Sequence, residues 1–238
     1  MEESHHPRHD GDHVEGERPT EEFLGRGNSK AMFVEFKQDM FNEFEMIDGR
    51  LMSFFLGIKV KQQVSNIYIS QKKYVKELLE KFKMTDCNTV NIPVATGLKL
   101  TKEGELRSVD LTIFKSLIGS LIYFTFTRSD IVYSVRLLSR YTEVPKESHW
   151  LVAKRILRYV KGTVKFGLFY PYNDEVILYG YSDNDSGGYQ DERKNTKEYV
   201  FYLGSTTFTW NSKKQSVVTL FICEVEFVAV SSIVCEAI

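Results

Sequence analysis

The stretch from Leu178 to Ala229 constrains this chain most, because it alternates its side chains, turns tightly and then changes period. Ile177, Tyr179 and Tyr181 alternate with Leu178, Gly180 and Ser182, a period-two pattern that predicts a strand over 176–183 ending in Asp183. The runs Glu198–Leu203 and Thr206–Trp210 flank Gly204-Ser205, which predicts a hairpin. Beyond Ser216 the chain contains no Gly or Pro, and Leu220, Cys223, Phe227, Val230 and Val234 recur at helical spacing. That predicts a helix with Glu226 beside its apolar face. The unit is three strands and then a helix, with Asp183 and Glu226 the acids it places where chemistry can occur.

Four segments of this stretch carry a resemblance when taken in order. They are Tyr181-Ser182-Asp183-Asn184-Asp185-Ser186-Gly187-Gly188, the run Arg193-Lys194-Asn195-Thr196 through Leu203-Gly204, Trp210-Asn211-Ser212-Lys213-Lys214-Gln215, and Cys223-Glu224-Val225-Glu226-Phe227-Val228-Ala229. Upstream, Phe114-Lys115-Ser116-Leu117-Ile118-Gly119-Ser120-Leu121-Ile122-Tyr123 and His149-Trp150 through Gly162-Thr163 add two more. From about Phe33 onward the sequence resembles the Pol polyprotein of copia-type LTR retrotransposons, its last part being similar to the first half of the ribonuclease H domain. The resemblance implies that Asp183 is the first metal-binding aspartate and Glu226 the catalytic glutamate. In such a domain four carboxylates hold two Mg²⁺ ions at the scissile phosphate. The family's remaining aspartates fall after Ile238, so the implied Mg site is incomplete as written.

The polymerase end of the resemblance is also partial. Phe55-Leu56-Gly57-Ile58 resembles the primer-grip turn, with Leu56 and Gly57 at its centre and a thumb-like helix after it. The family's Tyr-Val-Asp-Asp-Leu precedes a Gly-Asn pair that Gly27-Asn28 resembles, and this sequence has no such segment; Asp10-Gly11-Asp12 lacks its aromatic and valine context. Three departures stand out: Ser186 replaces Trp, Lys197-Glu198 replaces Ser-Gly, and Phe221-Ile222 replaces the Ser-Thr that opens the last helix. The last removes a cap worth about 1 kcal/mol.

The expected fold class is α+β: a palm and thumb remnant, a helical connector, and a partial ribonuclease H-like fold of three antiparallel strands plus a helix. Residues 1–28 hold His5, His6, His9 and His13 among charges and almost no apolar residues, which reads as a solvated tail rather than a metal site. Residues 29–85 read as the polymerase remnant. There, Phe33, Phe36, Met40, Phe44 and Ile47 predict an amphipathic helix over 31–47 ended by Asp48-Gly49. Leu51–Lys61 reads as a strand, Val64-Ser65-Asn66 as a turn and Ile67–Ser70 as the returning strand. Ser70 then caps a helix with Tyr74, Leu78, Leu79 and Phe82 inside and Lys72, Lys73, Lys76 and Lys81 outside.

Residues 86–165 read as a connector to Asp110 followed by three helices, over 111–126, 129–141 and 149–161. Their inward faces are Phe114, Leu117, Ile118, Leu121 and Ile122, then Ile131, Val135 and Leu138, then Trp150, Ala153, Leu157 and Val160. Residues 166–238 read as the truncated ribonuclease H-like domain. Without a later parallel partner its first strand is an unpaired edge, so a marginally stable unit and self-association through that edge are expected.

The formal net charge of −1 gives no global attraction to nucleic acid, so any binding must come from local patches. The third helix carries Lys154, Arg158, Lys161 and Lys165 at steps of four, three and four, a stripe able to track a phosphate backbone; a solvated amphipathic face explains it too. Arg193-Lys194 and Lys213-Lys214 are the other patches, and RNA/DNA hybrid or DNA is the expected partner. His149 reads as a capping or surface histidine rather than a ligand. Cys87, Cys223 and Cys235 are too widely spaced for a metal site and odd in number, which fits a reducing compartment. No signal-type or membrane-length apolar run is present, so a soluble, intracellular protein, cytoplasmic or nuclear, is expected.

The expected function is that of a Pol fragment lacking the polymerase Asp pair and the later ribonuclease H aspartates, and so inactive. Two alternatives stand beside it. One is a non-catalytic RNA/DNA-binding module. The other is a Mg-dependent ribonuclease H that borrows carboxylates such as Asp185, Asp191 or Glu224.

Overall fold

A computed structural model describes residues 30–45, 52–98, 100–102, 107–172, 177–185 and 196–214. The chain divides into two compact units, Met1–Arg50 and Leu51–Ile238. In the first, helix α1 (Lys30–Glu43) forms where the three-to-four spacing predicts it. Its expected inward side is not inward: Phe36 is 60% and the following Phe44 58% exposed. No second helix or strand lies among the described residues of that unit. The expected C-terminal helix with Glu226, and the Arg193-Lys194 patch, lie outside the described residues.

The second unit is α+β, with two antiparallel sheets and a helical core. Strands β1 (Phe54–Phe55), β2 (Ile58–Gln62) and β3 (Asn66–Ser70) are followed by helix α2 (Lys72–Lys81). The single strand expected over 51–61 is broken at Leu56-Gly57, where both residues have positive φ, 45° and 83°. A two-residue hairpin turn of that hand matches the twist of its strands. β4 (Leu168–Pro171) then returns from the far side of the helices to complete the order β1-β2-β3-β4, pairing Asn66 with Pro171 and Ile69 with Leu168. Gly167 leads into it, and a Cβ there would lie 2.3 Å from the Ile69 carbonyl oxygen. Only glycine allows that approach.

Helices α3 (Leu111–Phe124), α4 (Val132–Ser139) and α5 (Glu147–Gly162) pack with α2 around one core. Asp110 opens α3, its Oδ1 accepting from the Ile113 N–H at 3.0 Å. Phe114, Leu117, Ile118 and Leu121 are at most 2% exposed, as are Ile131, Val135, Leu138, Ala153, Leu157 and Val160. Full burial of each large apolar side chain stabilises by roughly 1.5–3 kcal/mol before the opposing entropy is counted. Trp150 and Ile122 reach this core only in part.

Two expected caps are replaced. Ser70 ends β3, and the N-cap of α2 is Gln71, which makes no side-chain cap bond. Its amide turns inward instead, accepting from Thr127 Oγ1 at 2.8 Å with the residue 1% exposed. Ser129-Asp130 opens a 3-10 turn (Ser129–Ile131) before α4, because the Asp130 carboxylate is taken by Arg128. The remaining strands, β5 (Leu178–Asp185), β6 (Thr196–Leu203) and β7 (Thr206–Lys214), form the second sheet in the order β5-β6-β7. The Gly204-Ser205 hairpin lies where the sequence predicts it, and both its strands extend further than expected.

Candidate functional site

The β5–β7 register places Asp183 directly across from Glu198, and Glu198 across from Ser212; the next row down is Tyr181, Val200 and Trp210. Side chains two apart along a strand share a face, so these six form one surface. That surface looks toward the helices. Trp210 Nε1 donates to the Thr125 carbonyl at 3.1 Å, and the Arg140 guanidinium donates to Thr196 Oγ1 at 2.5 Å. Between the sheet and the Ser129–Tyr133 segment opens a cleft of about 480 Å³. Within it Ser212 Oγ donates to Glu198 Oε1 at 2.6 Å, and the rings of Tyr181 and Tyr202 meet edge to face at 5.8 Å.

The opposite face of the sheet is mixed, with Lys197, Lys213 and Asn211 at register positions alongside Tyr199 and Phe201. Phe201 is 5% exposed, and its ring lies over Gly180, where a Cβ would fall 2.8 Å from Phe201 Cε1. A bulge between Phe201 and Tyr202 shifts the register there.

The helical wall of the cleft is fixed by a residue that sequence reasoning passed over. Arg128 is 2% exposed; its Nε and Nη2 donate to the two Asp130 oxygens at 2.8 and 2.7 Å. Nη1 and Nη2 also donate to the Thr163 carbonyl and hydroxyl at 3.1 and 2.6 Å. The guanidinium carbon sits 5.2 to 5.7 Å from the ring centroids of Phe124, Tyr159 and Phe166. Tyr159 completes the network by donating to Asp130 Oδ2 at 2.8 Å. Burial alone would raise the Asp130 carboxyl, but the Arg128 fork and the Tyr159 hydroxyl outweigh it and hold the group below the usual carboxylate range. Burial, and then the Asp130 carboxylate, push the Tyr159 hydroxyl up. The sequence signal was available: a charged pair one residue apart, Arg128-Ser129-Asp130, between two apolar helical runs.

The expected site residues divide among several places. Asp183 is exposed on β5 in the cleft, whereas Glu226 lies outside the described residues. Of the helix stripe, Lys154 lies 5.4 Å from the Trp150 ring centroid, Arg158 Nε donates to the Asn88 carbonyl at 2.7 Å, and Lys161 Nζ donates to the Cys87 carbonyl at 2.7 Å. Two of its four cations therefore pin the connector that precedes α3. Lys165 is exposed, and its carbonyl accepts from the Tyr68 hydroxyl. Lys213 is exposed on β7 next to Lys214, and Arg193 and Lys194 lie outside the described residues. Leu56 and Gly57 form the hairpin tip, Leu56 69% exposed and Gly57 packed near the Tyr123 hydroxyl.

His149 is fully buried rather than at the surface. Its Nδ1 accepts from the Lys146 N–H at 3.0 Å, the reach-back bond usually made by Glu or Gln. With Nδ1 accepting, the proton is on Nε2, which donates to the Thr101 carbonyl at 3.2 Å, and the ring stacks on Tyr141 at 3.9 Å.

Mg²⁺ takes oxygen ligands, and a two-ion site needs several carboxylates. Asp183 and Glu198 are adjacent, but one Glu198 oxygen is engaged by Ser212, and no group of three or more His, Cys, Asp or Glu able to hold a metal occurs among the described residues. The described residues therefore do not fit a two-magnesium cage. Nor is any described helix long and apolar enough to cross a membrane.

Comparison with known proteins adds sequence relationships to this geometry. Residues 21–96 match the family described as reverse transcriptase (RNA-dependent DNA polymerase). Over 212 residues the chain is 33% identical to the retrovirus-related Pol polyprotein from transposon RE2 of Arabidopsis thaliana, covering 89% of this chain and 15% of that protein. It is 34% identical over 212 residues to the retrovirus-related Pol polyprotein from transposon TNT 1-94 of Nicotiana tabacum, covering 85% of this chain and 16% of that protein. An uncharacterised mitochondrial protein of Arabidopsis thaliana is 30% identical over 211 residues, with 89% of this chain and 88% of that protein covered. The chain thus spans roughly 15% of the length of the polyproteins it matches. No solved structure matches it.

Proposed function

Because this chain belongs to the copia-type Pol polyproteins of LTR retrotransposons, we propose that it joins a reverse-transcriptase end to a ribonuclease H-like sheet and that, alone, it neither polymerises nor cuts. The observation that carries this reading is the row Asp183, Glu198, Ser212 across β5–β7. The acid facing Asp183 is Glu198, which stands where the family has a glycine, and it is held by a serine hydroxyl. Such a pair gives a metal far fewer oxygen ligands than two ions demand. On the polymerase side, the sequence holds no Tyr-Val-Asp-Asp segment.

Binding of RNA/DNA hybrid is a second reading, favoured by the exposed Lys165 and Lys213. It is weakened by Arg158 and Lys161, which hold backbone carbonyls of the connector. The test is cleavage of a labelled RNA/DNA hybrid in Mg²⁺ or Mn²⁺ by this chain and by its Asp183→Asn and Glu226→Gln variants, with a salt series of band shifts beside it. The expected result is no cleavage by any of the three. Cleavage by the unaltered chain that both variants lose would overturn the inactive reading. A shift that weakens steeply with salt would support hybrid binding.

A further inference from the structure

We propose that the outer face of the β1–β4 sheet is a platform for a single-stranded nucleic acid, with lysines meeting its phosphates and phenyl rings its unpaired bases. Residues two apart along a strand share a face, and the register sets Phe54 across from Lys59 in one row and Lys61, Tyr68 and Phe169 in the next. Phe54 and Phe169 are 56% and 50% exposed, and Lys59 and Lys61 are exposed beside them, whereas the alternate residues Val60 and Ile69 are half-buried on the other face. The Tyr68 hydroxyl donates to the Lys165 carbonyl, which places the exposed Lys165 at the margin of the same face. Gly167 makes room for that reach, since a Cβ there would fall 3.0 Å from the Tyr68 hydroxyl.

The local charge selects an anion. Residues 52–76 hold five lysines and residues 163–172 one, with no Asp or Glu in either stretch, although the whole chain carries a formal charge of −1. Lys59, Lys61 and Lys165 form no ion pair with a described residue. A cationic face within a chain that is not basic overall is the electrostatic footprint of a phosphate backbone. The rings then decide which anion. Phe54 and Phe169 stand on strands three spacings of about 4.8 Å apart with Lys61 and Tyr68 between them, so the face offers separate stacking places rather than one apolar patch to sink into a lipid surface. A base stacks on such a ring only when it is unpaired, because in a duplex its neighbours already cover both its faces. This ligand differs from that of the hybrid-binding reading, and the two readings predict opposite preferences.

The test is fluorescence anisotropy of the whole chain with a labelled, unstructured RNA of about twelve nucleotides built from A and C. Beside it run an abasic oligomer of the same length and charge, the same RNA paired to DNA, and phosphatidylserine vesicles. Saturable binding of the RNA is expected, with the abasic oligomer about tenfold weaker and the hybrid weaker than the single strand. Phe169→Ser should weaken the RNA by roughly five- to tenfold. Replacing both Lys59→Gln and Lys61→Gln should flatten the slope of log affinity against log salt by about 1.4. Equal binding of the abasic oligomer, tighter binding of the hybrid, binding to vesicles with none to RNA, no saturable RNA binding, or unchanged affinity in both folded variants would each overturn the proposal. If either variant fails to fold, the comparison of RNA with abasic oligomer on the unaltered chain still decides. Single-strand binding without any hybrid shift supports this proposal and counts against the hybrid reading alone.

Discussion

The helices α2–α5 and the sheet β5–β7 treat their aromatic and aliphatic residues in opposite ways. Phe114, Leu117 and Leu121 are fully buried, whereas Leu178, Tyr181 and Phe208 are 53%, 62% and 46% exposed. In the helical region each apolar face closes on another helix, so burial and periodicity support one another. In the sheet one face opens on the cleft, where Tyr181 stands beside Asp183 and Glu198, and Leu178 and Phe208 are exposed away from the cleft. Stability is concentrated in the first region and polar chemistry in the second. The two regions are joined by the hydrogen bonds of Trp210 to the Thr125 carbonyl and of Arg140 to Thr196, and the buried guanidinium of Arg128 ties together the segments behind the cleft.

The largest effect that would sharpen this contrast is loss of a helical core side chain. Phe114→Ala should cost about 3–5 kcal/mol in urea unfolding, against a far smaller cost for any exposed sheet aromatic. Arg128→Met comes next, at about 3 kcal/mol, because it leaves a carboxylate unpaired beside apolar rings. Asp130 is one-third exposed, with 33% side-chain accessibility, which keeps that figure at the lower end.

The same pair gives a pH dependence of definite sign. The folded carboxyl of Asp130 lies below its unfolded value, near 3.9, so its contribution is complete above that value and lost as pH falls through the folded one. Acid melts of Arg128→Met should lack that component. Tyr159 is displaced the other way, so its contribution holds below about pH 10 and is lost at higher pH.

Within the sheet, Gly180→Ala should cost about 1–2 kcal/mol by displacing the Phe201 ring, visible as a lower thermal midpoint. Tyr181→Ser should change stability by less than about 0.5 kcal/mol. A large loss from Tyr181→Ser would break the contrast, since it would make an exposed cleft residue part of the core.

How legible each region was follows from where its contacts come from. The α3 and α5 faces could be read because residues three and four apart report the same neighbour, and the Gly204-Ser205 hairpin because its signal spans few residues. β4 was not read, because Leu168–Pro171 becomes a strand only by pairing with β3, about a hundred residues earlier. The expected Ser70 cap failed for a tertiary reason, the inward turn of Gln71 onto Thr127. The cationic stripe of α5 was legible as a pattern, yet Arg158 and Lys161 spend it on Asn88 and Cys87, partners that no periodicity identifies. In the candidate site Asp183 was read on its strand from alternation. Glu198 and Arg128 were not, because their roles depend on cross-strand register and on partners more than thirty residues away, Tyr159, Thr163 and Phe166.

Native-state hydrogen exchange is the measurement that most directly tests the division between a stability-bearing helical core and a chemistry-bearing sheet. Amides of Leu117 and Leu121 in α3 and of Ile156 and Leu157 in α5 should exchange only through global unfolding. Amides of β6, the central strand of its sheet, should exchange through a smaller opening, faster by on the order of 100-fold. Equal protection in β6 and in the helices would contradict the division and make the sheet part of one cooperative core.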